Sequence, residues 1–169
     1  MTTVNAEAVR DAERVLKTLW TFTPRGVVIP VDPYRIARQF GIDVIEMNLD
    51  QTIYAALVKE QGQDPAILVN AKDSANRKRF SCAHEIGHFI RRSSDPDEYE
   101  YVDFRDLLSS ASTNVDEVYS NTFAAHLLMP ETEVRRFRRH GLPDYEMAVR
   151  FDVTREAMHY RLVSLGFAA

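Results

Sequence analysis

The run His84-Glu85-Ile86-Gly87-His88 sets two imidazoles four residues apart with a carboxylate beside the first. Residues at i and i+4 lie one above the other on a helix, so both rings can reach one metal ion. Glu85 is rotated to the side, where a carboxylate takes the proton of a water activated by the metal instead of joining its ligands. That is the chemistry of metal-assisted peptide hydrolysis. Two packing histidines beside a glutamate on an apolar helix face would be a costly core without a ligand.

A catalytic zinc takes three protein ligands and keeps one position open. The residues after His88, Phe89-Ile90-Arg91-Arg92-Ser93-Ser94, contain neither the glycine nor the histidine of the extended HExxHxxGxxH pattern, so the third ligand is distant. Glu117 is the candidate, with Asn121 one turn further on the same face and placed to bond the outer nitrogen of His84. From the residues alone Glu117 serves equally well as an acid in a helix's first turn, where it complements the dipole.

These residues need helices to carry them. Asp73 or Ser74 can cap a helix running to about Arg91, and Thr113, with Asp116 three residues on, can cap one that stops near Met129-Pro130. Upstream, Val9, Ala12, Val15, Leu16 and Leu19 predict an amphipathic helix from Ala6 to Trp20, and Pro33 with Gly41 brackets a short second helix. The stretches 42–47, 52–58 and 66–70 read as strands of a small, mainly antiparallel sheet, and 92–113 as a long polar, acidic connection. Helices at 132–140, 144–151 and 154–165 complete an α+β chain with no internal repeat, read as a core over residues 1–130 and a helical segment over 131–169 packed into one unit.

Composition agrees. The 169 residues are 45% hydrophobic and carry a net charge of −4, which suits one domain and argues against a general polyanion binder. The lone Cys82 excludes an internal disulfide, the N-terminus lacks a signal-peptide pattern and no apolar run reaches membrane-spanning length, so a reducing cytoplasm is expected. Cys82 itself faces away from His84 and is assigned to packing.

Three stretches, Ile67-Leu68-Val69-Asn70, Arg79 through His88, and Glu117-Val118-Tyr119-Ser120-Asn121-Thr122-Phe123-Ala124-Ala125-His126-Leu127-Leu128-Met129-Pro130, together resemble the ImmA/IrrE family of zinc metallopeptidase-like proteins. The resemblance implies a gluzincin-like fold, one zinc held by His84, His88 and Glu117, Glu85 as catalytic glutamate, and a helix-turn-helix repressor as substrate. The chain departs from the family's usual pattern at Tyr119, Ser120 and His126. The transition state also needs an oxyanion donor besides the metal, for which Tyr54, Tyr119, His126, Tyr99 and Tyr101 are candidates. The resemblance further suggests the strand at 52–58 as one to which a substrate backbone could add.

The basic run Arg135-Arg136-Phe137-Arg138-Arg139-His140 suits a solvated helix end and also a partner-docking surface, with Arg135 and Arg138 as its candidate contacts. Residues 147–166 resemble a helix-turn-helix unit whose turn has Asp152 where glycine is common and whose second helix would present Arg155, His159 and Arg161. Two other functions therefore compete with the peptidase: a non-proteolytic DNA- or protein-binding regulator using that unit, with DNA the less favoured partner, and a toxin–antitoxin component acting on another protein.

Overall fold

The computed structural model describes residues 3–60, 62–93, 101–106 and 114–167, the stretch 101–106 by its backbone. In chain order the elements are α1 (Thr3–Leu19), β1 (Phe22–Thr23), β2 (Gly26–Val27), α2 (Pro33–Gln39), β3 (Asp43–Met47), β4 (Ile53–Lys59), β5 (Ala66–Asn70), α3 (Ala75–Arg92), β6 (Tyr101–Asp106), α4 (Val115–Leu128), α5 (Glu131–Arg139), α6 (Asp144–Phe151) and α7 (Arg155–Ser164). No helix among the described residues is long and apolar enough to cross a membrane.

Local chemistry explains the helix starts. Asp32 accepts from the backbone of Tyr34 (2.9 Å) and Arg35 (3.2 Å) ahead of Pro33, and Ser74 accepts from Arg77 (3.4 Å). The cap of α4 is Asn114, which accepts from Asp116 at 3.0 Å, one residue later than the expected Thr113, which lies outside the described residues.

The main sheet has the order β3-β5-β4-β6. β4 runs antiparallel to both β5 and β6, whereas β3 is parallel to β5, because β5 inserts between β3 and the hairpin partner β4. Two sequence expectations are corrected here. The stretch 92–113 is not all connection, since Tyr101–Asp106 forms an edge strand against β4. As a result β4 is an interior strand with neighbours on both sides, and cannot itself receive a substrate strand while β6 is paired. The two-residue β1–β2 hairpin is also absent from the sequence reading. It is held from a distance: Glu133, 2% exposed, accepts from Val27 N at 3.1 Å and pairs with Arg136, and a Cβ on Gly26 (φ 121°) would lie 2.1 Å from Glu133 Oε1.

One hydrophobic cluster runs from Ala8 and Leu16 of α1 through Ile67 and Val69 of β5, Cys82 and Ile86 of α3 and Phe123 of α4 to Phe151, Met158 and Leu162 of α6 and α7. Cys82 is fully buried in it, and burial pushes its thiol pKa up, as the packing assignment expected. Asn70, 3% exposed, closes the β5 end by donating to the carbonyls of Asp50 (3.0 Å) and Ile53 (2.8 Å). α3 thus enters from a fixed point and lies across β4 and β5, with α4 on its other side.

Candidate metal centre

His84 and His88 project from successive turns of α3, and Glu117 from the first turn of α4. His84 is fully buried, His88 is 6% exposed, and the Glu117 side chain is 12% exposed. The two histidine Nε2 atoms stand 3.0 Å apart, His88 Nε2 is 3.1 Å from Glu117 Oε1, and His84 Nε2 is 3.4 Å from Glu117 Oε2. Asn121 Oδ1 lies 3.0 Å from His84 Nδ1. An amide oxygen only accepts, so Nδ1 carries the proton and Nε2 turns its lone pair toward the other two groups.

Three electron-rich atoms therefore converge in a nearly closed space. Tetrahedral zinc with bonds of about 2.0–2.1 Å requires ligand atoms roughly 3.3 Å apart, and the three separations bracket that value. The donor set of two imidazoles and one carboxylate suits a catalytic zinc with an open fourth position. Burial raises the pKa of Glu117, but the hydrogen bonds and charges of His84 and His88 outweigh it and bring the carboxyl down to about 2. It is an anion at any ordinary pH. Glu85, next along α3, is also fully buried and sits rotated from His84 by one helical step.

The approach of the two helices is set at Gly87. A Cβ there would stand 3.0 Å from Ser120 Cα and 3.2 Å from Ser120 Cβ and Oγ, so the glycine and the small Ser120 let α3 and α4 close to the separation that seats Glu117 and Asn121 on the histidines.

Two of the candidate oxyanion donors, Tyr119 and His126, turn away from this triad. Tyr54, at the start of β4, has the Arg77 guanidinium 5.1 Å from its ring centroid. Tyr119, 1% exposed, points the other way and donates its hydroxyl to Asp11 Oδ2 of α1 at 2.7 Å. His126 turns to α7, where one of its ring nitrogens accepts from Arg161, whose guanidinium nitrogens lie 2.8 and 3.1 Å away. Tyr99 lies outside the described residues, and Tyr101 belongs to β6.

Among the basic residues, Arg135 pairs with Glu131 (2.6 Å), Arg138 approaches Asp144 (3.6 Å), and Arg155 is exposed at the first position of α7. Arg161 corrects the sequence reading. It is 3% exposed and donates through Nε to the Met129 carbonyl at 3.1 Å, so it is a core residue and not part of a presented helix face. Asp152 does adopt the left-handed conformation (φ 54°) of a glycine-type turn, held by Asn76 (2.8 Å) and Arg79 (3.0 Å) of α3.

The sequence reading missed the charged contacts that surround the start of α4. Arg91 Nε donates to Asp116 at 2.6 Å, its Nη1 to Glu7 at 3.2 Å, and its guanidinium lies 5.1 Å from the Tyr119 ring centroid. No local signal announces these contacts, since Asp11 and Tyr119 are 108 positions apart and each side chain alone looks like an ordinary surface or core residue.

The chain is 29% identical over 135 residues to the uncharacterized immunity region protein 2 of Bacillus phage phi105, covering 79% of this chain and 80% of that protein. Its fold is similar to that of a Mycobacterium tuberculosis transcriptional regulator, with a TM-score of 0.63 at 19% identity, over 93% of this chain and 46% of the regulator, so this chain spans less than half of that protein's length. The model of the IrrE N-terminal-like domain, a peptidase family, matches residues 37–163, a stretch holding both the HExxH helix and the Glu117 helix. With three quarters of its length inside that match, the chain belongs to the IrrE N-terminal-like domain family of peptidases.

Proposed function

We propose that the protein is a zinc-dependent metalloendopeptidase that cuts a helix-turn-helix type transcriptional repressor and so derepresses genes of a stress response or a mobile element. The observation that carries the reading is the convergence of His84, His88 and Glu117 within 4.8 Å of one another. Asn121 fixes the tautomer of His84. A bound zinc would supply Lewis-acid activation of a water and of the scissile carbonyl. Glu85 would take a proton from the attacking water as its oxygen bonds to the scissile carbonyl carbon, and pass it to the amine nitrogen as the C–N bond breaks. His84, His88 and Glu117 hold the ion; Asn121 keeps the first of them aligned.

A substrate drawn from transcriptional control is supported by the phage immunity-region relative, and by the peptidase family itself. In this reading residues 1–130 form the catalytic core and 131–169 a helical segment packed onto it, acting in a reducing cytoplasm, with Arg135, Arg138 and Arg155 as docking contacts for the substrate. The competing DNA-binding reading loses one of its three expected contacts to the interior, because Arg161 is buried.

Purified protein is expected to carry about one zinc per chain. Glu85→Gln is expected to keep the metal and lose cleavage of a repressor encoded near this gene, by about a thousandfold or more. Parental cleavage rates in Glu85→Gln would remove Glu85 from the chemistry, and salt-sensitive duplex binding lost in Arg155→Ala, with no cleavage by the parent, would favour the DNA-binding regulator.

A further inference from the structure

We propose that α1 is a working part of the metal centre: Asp11, through Tyr119, and Arg91, through Asp116 and Glu7, are positioning residues that hold Glu117 of α4 against the histidines of α3. The inference rests on reading His84, His88 and Glu117 as metal ligands, and extends that site to a helix lying wholly before residue 37, where the family match begins.

Glu117 is the third residue of α4. The first turn of a helix has the fewest internal hydrogen bonds, so its side chains depend on outside support for an exact position. α1 supplies that support. Ala8 and Ala12 are fully buried, and their small side chains let α1 lie close along α4. At this seam the Tyr119 hydroxyl donates to Asp11 at 2.7 Å. Arg91 then clamps the end of α3 to both neighbours, taking Asp116 of α4 at 2.6 Å and Glu7 of α1 at 3.2 Å while lying over the Tyr119 ring.

The positions of these groups bracket the metal residues. Asp116 precedes Glu117, Tyr119 lies midway between Glu117 and Asn121, and Arg91 follows His88 by nearly one turn. Arg91 also sorts the charge, engaging Asp116 so that the adjacent Glu117 is left to the histidines. A cavity of about 580 Å³ between α1, α3 and α4 has Glu7, Asp11, Arg91, Asp116 and Tyr119 in its wall and reaches His88, so the network and a metal ligand share one surface.

The test measures zinc affinity of the folded protein by competition with a chelator, at a temperature where circular dichroism shows every variant folded. Asp11→Ala and Tyr119→Phe are each expected to weaken zinc binding about tenfold, the lower end for a residue that orients a ligand through another. The double variant should be no weaker than the weaker single, since both break one contact. The visible absorption of the cobalt-substituted protein should change with them, reporting altered ligand geometry. If Tyr119→Phe does not fold, Glu7→Gln, at the exposed end of the network, should still weaken zinc roughly threefold. Variants that unfold at lower temperature yet bind zinc within twofold of the parent would show the contacts to be structural only, and overturn the inference. A parent that binds no zinc overturns the reading of the site as well, which separates the two failures.

Discussion

A single proton decides whether His84 can bind a cation. Imidazole carries that proton on one nitrogen or the other, and here the Asn121 amide oxygen, 3.0 Å from Nδ1, keeps it on the outer one. Asn121→Ala removes the acceptor and lets the proton move to Nε2, where it would cover the lone pair the metal needs. Zinc affinity measured by chelator competition should fall about 10- to 100-fold. Asn121→Asp keeps an acceptor and should bind zinc at least as tightly as the parent, so a loss as large as that of the alanine variant would rule out the tautomer mechanism. This contact was legible in the sequence because Glu117 and Asn121 are one turn apart on one helix, and helical spacing fixes which side chains share a face. Tyr119 was misjudged for the complementary reason. Its spacing along α4 says nothing of α1, which arrives from the far end of the chain to take its hydroxyl.

Between the elements, the decisive quantity is the distance from α3 to α4. Gly87 and Ser120 meet where a single added Cβ would come within 3.0 Å of backbone, closer than van der Waals contact allows. Gly87→Ala gains about 1 kcal/mol of helix propensity but must push α4 outward, carrying Glu117 and Asn121 with it. The expected result is a protein that unfolds within a few degrees of the parent while its zinc affinity drops about tenfold. Equal affinity in Gly87→Ala and parent would show that the helices have slack. The helices themselves were readable, since caps such as Ser74 and stops such as Pro130 act locally. The sheet was less so. β6 lies in a polar, acidic stretch with no clean alternation, and its pairing with β4 is a long-range choice that leaves no mark in either strand. The parallel β3–β5 pair likewise depends on where β5 inserts, not on what β3 contains.

Across the whole molecule, the C-terminal helices are joined to α3 and α4 by two polar seams: Asp152 on Asn76 and Arg79, and Arg161 on His126 and the Met129 carbonyl. The second seam makes stability depend on pH. Burial first, and the neighbouring Arg161 cation second, lower the pKa of His126 from 6.5 to about 4, against a small opposing pull from Glu131. Burial likewise lowers Arg161 to about 10, leaving it charged throughout the acid range. Between pH 6.5 and 4 the unfolded chain binds a proton at His126 that the folded chain refuses, so stability falls as pH is lowered through this window and is unaffected by this group above it. The full effect is about 3 kcal/mol. His126→Gln keeps an acceptor for Arg161 and removes the titration. Urea unfolding from pH 8 to pH 4 should therefore give parent and variant curves that run parallel above pH 6.5 and separate below it, the parent losing more. Curves parallel down to pH 4 would mean that His126 takes its proton within the fold, and that the Arg161 contact gives way before the C-terminal helices do.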